Sequence, residues 1–252
     1  MTDRTDKNAR DSETLVGPLA LLLDRLTTDA REEAARATVR QGRFALVLPG
    51  GSVGLHGFPA LATVPFDWSA THVFWVDERS VPPSSPDSNF SLAHSLWLAA
   101  SGARPSNIHR MPADDPDLDV AANAYSDEIT RVLGAQPRLD LVLLGVGPDG
   151  HVASLFPGHA ALSEDRKLVL PIVDAPKPPP KRMTMTLPVL TSAERVIVMA
   201  LGESKAAVMH EALTQDHSRL PVSLVLQRAA RSLVLLDDEA GARLLKPATP
   251  YT

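Results

Sequence analysis

The 252-residue chain carries a net charge of -5, with 44% hydrophobic and 22% charged residues, an ordinary globular profile that gives no electrostatic case for nucleic acid or an anionic membrane as partner. It has no cysteine, which excludes disulfides, thiolate zinc sites and thiol nucleophiles. No stretch approaches the roughly 20 apolar residues of a membrane helix, and the N-terminal MTDRTDKNARDSE lacks an apolar signal-peptide centre, so the cytoplasm is the expected location.

Residues 1–12 are polar and read as a disordered tail, which leaves 13–252 as a single domain. Asp24 to Gln41, rich in Ala, Arg and Glu, predicts a helix closed by Gly42. Phe44 to Leu48 predicts a strand ending in Pro49-Gly50-Gly51-Ser52, with a helix after it, and Val73 to Val76 a strand ending in Asp77-Glu78-Arg79. A turn-rich loop, VPPSSPDSN, leads to a helix starting near Asn89. Leu118 to Leu133 predicts a helix stopped by Gly134, and Leu139 to Leu144 a strand buried on both faces, because its apolar run lacks polar alternation. Further strands are expected at Leu168 to Val173, Met183 to Leu187, Arg195 to Leu201 and Ser232 to Leu236. Ala175 to Lys181 is a proline-rich bend, Glu203 to Leu213 a helix, and Asp237 to Leu245 a closing helix. The alternation predicts an α/β fold: one doubly wound, mostly parallel, Rossmann-like sheet with helices on both faces.

In such sheets ligands bind at the carboxyl ends of the strands. The loops after residues 48, 76 and 144 leave the same edge, so Gly51, Arg79 and His151 are expected to converge. Gly145, Gly147 and Gly150 fit the pattern G-x-G-x-x-G, but a dinucleotide fingerprint needs its third glycine inside a crossover helix. Here Pro148 sits in the turn and Pro157-Gly158 interrupts the chain soon after. Gly50, Ser52 and Gly54 fit G-x-S-x-G, yet a hydrolase nucleophile elbow needs an oxyanion loop upstream, and only one strand precedes Ser52. A glycine loop whose amides cradle a phosphate at a helix start suits the segment better, with a plain tight turn as the alternative. Asp149 and His151 place a carboxylate and a near-neutral base in the glycine turn, and His151 is the candidate proton acceptor, with Asp77 or Asp149 orienting its ring. Of the eight histidines, His56, His72, His94, His109, His210 and His217 lack metal-ligand spacing and are expected at the surface or in caps, so no metal is expected.

The segments PGGSV (49–53), VDERSVPPSSPDSNFSLA (76–93), LDLVLLGVGPDGHVASLFPGH (139–159), PPKRMTMTLPVL (179–190) and LGESKAAVM (201–209) resemble the 6-phosphogluconolactonase family. The resemblance implies hydrolysis of a phosphosugar lactone in the pentose phosphate pathway without a cofactor, by a monomer or weak homodimer. It further implies a substrate phosphate lying against Gly50, Gly51 and Ser52, with positive charge from Arg79, Arg182 and Lys205. The related glucosamine-6-phosphate deaminases and isomerases carry a GHIAFNEP-like stretch after the glycine turn, where this chain has His151-Val152-Ala153-Ser154-Leu155-Phe156-Pro157 and no glutamate. An isomerase or deaminase, or a catalytically weak sugar-phosphate-binding module, is the alternative. One departure stands in the phosphate loop: the family's S-G-G-S-T-P is here Pro49-Gly50-Gly51-Ser52-Val53-Gly54. An isopropyl group replaces a hydroxyl at position 53.

Overall fold

The computed structural model describes residues 11–244. In chain order it contains β1 (Asp11–Val16), α1 (Leu19–Gln41), β2 (Phe44–Leu48), α2 (Gly51–Leu61), β3 (Thr71–Trp75), β4 (Asp77–Arg79), α3 (Asn89–Leu96) and α4 (Leu118–Leu133). It continues with β5 (Leu141–Gly145), β6 (Val169–Ile172), β7 (Arg182–Met185), α5 (Leu187–Thr191), β8 (Arg195–Ala200), α6 (Ala206–Thr214), α7 (Pro221–Arg228) and β9 (Arg231–Leu236). Local chemistry sets several ends. Gly42 closes α1 in the left-handed region at φ 72°, and the Asp117 carboxylate caps α4 by accepting from the amides of Asp119 and Val120.

Six strands form one parallel sheet in the order β1-β9-β8-β5-β2-β3, flanked by helices. All residues of β2 and β8 are buried, as strands covered on both faces require. From β2 the chain steps outward to β3, whereas from β5 it steps the other way to β8 and β9. The crossovers therefore diverge between β2 and β5. At that switch point the loops at the strands' carboxyl ends open a crevice, and these two strands end in Leu48 and Gly145.

A second, antiparallel sheet, β4-β7-β6, sits beyond the end of β3 and was not anticipated. Val76 joins the two: its N–H donates to Leu48 O, and its carbonyl accepts from Met185 N. The segment expected as a strand over Met183 to Leu187 is β7, which belongs to this smaller sheet, and Leu187 starts α5 instead. The alternating Met-Thr-Met-Thr pattern suits an antiparallel strand but does not say which sheet the strand will join.

Both ends of the domain depart from expectation. Asp11 and Ser12, assigned to the tail, open β1, while residues 1–10 lie outside the described range. This polar edge strand pairs in parallel with β9, and Glu13 accepts from Arg25 at 2.5 Å and from Arg195 at 3.0 Å. Arg195 is 2% exposed and also binds Asp29 at 2.8 Å, so the strand is pinned to a buried ionic cluster. Removing the buried partner Asp29 would cost about 3–5 kcal/mol, whereas the half-exposed Glu13 contributes less. The helix expected over Asp237 to Leu245 is a series of turns through Leu244, with Leu245 outside the described residues. Asp237 accepts from the amides of Gly202 and Ala240, a local bonding pattern that competes with helix, and Gly241 lies so close to Val16 that a Cβ would fall 2.3 Å from Cγ1.

Candidate active site

The crevice at the switch point is a cleft of about 470 Å³. Its lining includes Gly50, Gly51, Ser52, Asp77, Arg79, His151, Arg182 and Lys205, so every sequence-predicted site residue but Asp149 reaches its wall. Asp149 stands directly behind His151. The convergence of Gly51, Arg79 and His151 follows from the parallel topology, as expected.

At one end of the cleft, α2 begins. Gly51 has φ 62°, and the first-turn amides precede the Gly54 N–H, which donates to Gly50 O. They face the cleft with the positive end of an 11-residue helix behind them. Gly50 is dictated by proximity, since a Cβ there would fall 1.7 Å from Asn89 Oδ1. Ser52 lacks the strained backbone of a nucleophile elbow: Ala153, with φ 50°, is the one non-glycine residue at positive φ among the described residues. Val53 is 4% exposed and packs beside Gly145.

The glycine turn after β5 forms the other wall. Gly150 N donates to Gly147 O and Gly147 N to His151 O, which folds the turn back on itself. A Cβ at Gly147 would lie 2.0 Å from His151 Nδ1 and 2.6 Å from Asp149 Oδ1, so only glycine leaves room for this pair. No crossover helix follows Gly150, and the dinucleotide reading fails on that geometry. Asp149 Oδ1 is 2.5 Å from His151 Nδ1, which assigns the proton to Nδ1 and leaves the lone pair on Nε2. Nε2 has no partner among the described residues. The ring, 17% exposed, packs on Phe156 at 4.7 Å between centroids.

Burial lowers the pKa of His151 despite the opposing pull of Asp149. Burial alone would raise Asp149, but hydrogen bonds from His151 and Lys177 hold it at about 2. The imidazole is therefore a free base at neutral pH beside an ionised carboxylate.

Of the two candidate carboxylates, only Asp149 holds the histidine. Asp77, 5% exposed, accepts from Ser154 Oγ at 2.6 Å and from Asn89 Nδ2 at 3.1 Å, and so ties together β4, the start of α3 and the loop after β5. Neighbouring Glu78 accepts from the amides of Arg79, Asn89 and Phe90 and from Ser88 Oγ, fixing the start of α3 although burial raises its pKa. Arg182, 4% exposed, donates to the carbonyls of Lys177, Pro178 and Pro179 and faces Ser154 Oγ at 3.4 Å. Its guanidinium thus carries the proline-rich bend while forming part of the wall. Arg79 Nη1 donates to Asp87 O, and its buried Nε has no partner. Lys205, next to α6, has no partner among the described residues, and burial followed by repulsion from Lys177 lowers its pKa.

Sequence reasoning missed Lys177, which lines the cleft with its ammonium 3.0 Å from Asp149 Oδ1. Its signal was a lysine followed by three prolines, a stiff loop able to aim one charge. His109, expected at the surface or in a cap, is 5% exposed, stacks on Phe74 and bonds His72 and Glu128, none of which lines this cleft. Among the described residues no helix is long and apolar enough to cross a membrane.

A doubly wound sheet that opens its switch point on a helix N-terminus at one side and a histidine at the other defines an α/β protein with a cleft suited to an anionic ligand. The chain belongs to the family of glucosamine-6-phosphate isomerases/6-phosphogluconolactonase, which matches residues 19–235. It is 41% identical over 227 residues to the 6-phosphogluconolactonase of Rattus norvegicus, covering 86% of each chain. A probable chloroplastic 6-phosphogluconolactonase of Oryza sativa subsp. indica is 38% identical over 77% of this chain, which spans 64% of that relative's length. The crystal structure of 6-phosphogluconolactonase from Thermotoga maritima superposes with a TM-score of 0.80 at 25% identity, covering 90% of this chain and 100% of the other.

Proposed function

We propose that the protein hydrolyses 6-phospho-D-glucono-1,5-lactone to 6-phosphogluconate, a step of the pentose phosphate pathway. The observation that carries this reading is the unpartnered Nε2 of His151, facing the same cleft as the free amides of α2. A δ-lactone is an activated ester, so the demands are a positioned water, a base and charge stabilisation. His151 Nε2 takes a proton from water as its oxygen attacks C1. When the tetrahedral intermediate collapses, the bond from C1 to the ring oxygen breaks and the imidazolium returns the proton to that oxygen. Asp149 holds the ring in the required tautomer throughout. The 6-phosphate lies against Gly50, Gly51 and Ser52, with Arg79 and Lys205 as its cations and Arg182 adding charge from behind the proline-rich bend.

The test is hydrolysis of freshly generated lactone, followed as acid release with the spontaneous rate subtracted. Acceleration that saturates with substrate is expected. Ammonia release from glucosamine 6-phosphate, with no acceleration of lactone opening, would place the chain with the deaminases instead.

A further inference from the structure

The two lysines of the cleft do different things. Among the described residues Lys205 has no carboxylate partner and can meet a ligand's phosphate, whereas Lys177 is engaged with the residue that orients the base. Asp149 Oδ1 accepts from His151 Nδ1 at 2.5 Å and from Lys177 Nζ at 3.0 Å, and Nζ lies 3.4 Å from Nδ1. One carboxylate oxygen therefore serves two competing donors.

The lysine arrives from an independently anchored segment. The bend between β6 and β7 is closed by Ala175 N donating to Pro180 O, and Arg182 holds its three successive carbonyls at 177, 178 and 179. The ammonium is thus delivered by a stiff loop rather than by the turn that carries His151. Around the imidazole the facing charged groups are Asp149 from its own turn, Lys177 from this bend and, farther off, Asp77 of β4, while Phe156 covers one ring face.

We propose that Lys177 is a positioning residue for the reaction: by sharing Asp149 Oδ1 with His151 it fixes the carboxylate that orients the ring and keeps the imidazole available as a base. A carboxylate neutralised by an ammonium stabilises imidazolium less, and the ammonium itself repels a proton added to the ring. Burial of His151 works in the same direction. This inference rests on the reading of His151 as the base.

Lys177→Met and Lys177→Gln are measured against Lys177→Arg, which keeps the charge. Both neutral variants should move the acid limb of kcat/KM upward by about one pH unit, a roughly tenfold loss of rate at pH values below the limb, and the arginine variant should restore it. NMR titration of the His151 ring in the same proteins should show the same displacement. If neither the limb nor the ring titration moves, or if KM rises while both stay in place, Lys177 is a substrate contact or a structural residue and the proposal fails. If the ring titration moves while the rate limb does not, the coupling of Lys177 to His151 stands and the assignment of His151 as the base is what fails.

Discussion

Arg79 of β4 and Arg182 of β7 stand directly opposite each other in the antiparallel register of the smaller sheet, both at the wall of the cleft. Like charges so placed destabilise a sheet. Burial lowers the pKa of Arg182, Asp77 opposes that shift, and the charge of Arg79 reinforces it. The arrangement makes sense as half of an anion site, with the missing negative charge supplied by a ligand.

Replacing Arg79 tests this directly. Arg79→Met should raise KM for the phosphorylated lactone by about 10–100-fold, the equivalent of one hydrogen bond between charged groups. The unliganded fold should lose no more than about 1 kcal/mol, because relief of the paired charges offsets the lost bond to Asp87 O. Steady-state kinetics and urea unfolding on one preparation give both values. An unchanged KM removes Arg79 from the phosphate site.

The assignment of His151 as the base is tested at two residues. His151→Ala should lower kcat by roughly 10²–10⁴, the usual contribution of general base catalysis. Asp149→Asn keeps the shape but loses the ionised acceptor for Nδ1, and its kcat should fall between those of wild type and His151→Ala. Affinity for 6-phosphogluconate, measured by calorimetry, should change little in either. Near wild-type turnover in His151→Ala at saturating substrate would exclude the mechanism.

How much of this was legible in the sequence depends on range. The buried strands at Phe44 to Leu48 and Leu139 to Leu144 announce themselves because parallel strands are apolar on both faces, and the strand-end rule then brings Gly51, Arg79 and His151 together. Asp77 and Asp149 could not be told apart, since each follows a strand. Only the fold reveals that Ser154 and Asn89 occupy Asp77, leaving Asp149 for the histidine. The polar strand at Asp11 was invisible for a related reason: its partner β9 and its anchor Arg195 are more than 180 residues away. Lys177 reaches Asp149 across 28 positions, and no local pattern encodes that contact.

The stacked pair of His72, half-buried, and His109, buried, yields a pH dependence of stability. His72 Nδ1 lies 3.0 Å from His109 Nε2, and His109 Nδ1 lies 2.7 Å from Glu128 Oε1, so a second proton on the pair would bring two N–H groups head to head. Burial lowers the pKa of both, helped at His72 by the charge of His109 and opposed at His109 by Glu128. The unfolded chain, with histidines titrating near 6.5, binds the extra protons first. Stability should therefore be complete above about pH 6.5 and decline as pH falls toward the depressed folded values. His72→Gln, which keeps a donor toward His109, should flatten the change in Tm between about pH 7.5 and 5.5. An identical slope in the variant would assign the effect to other groups.

The departure at position 53 can be reversed. Val53 is the third residue of α2, 4% exposed, lining the cleft beside Gly145, where a Cβ would lie 3.3 Å from its Cγ2. Its amide is already one of those without a helical partner, so the valine withholds only a side-chain donor. Val53→Thr adds that donor with little change in volume and should tighten binding of 6-phosphogluconate by up to about tenfold, or ~1.4 kcal/mol. Without ligand the buried hydroxyl should cost about 1–3 kcal/mol of stability. The gain should vanish with unphosphorylated gluconate, because the added contact is to phosphate alone. Calorimetry on both proteins with both ligands decides the matter: equal affinities for 6-phosphogluconate would mean that the side chain at 53 points away from the anion and that α2 binds through its backbone amides.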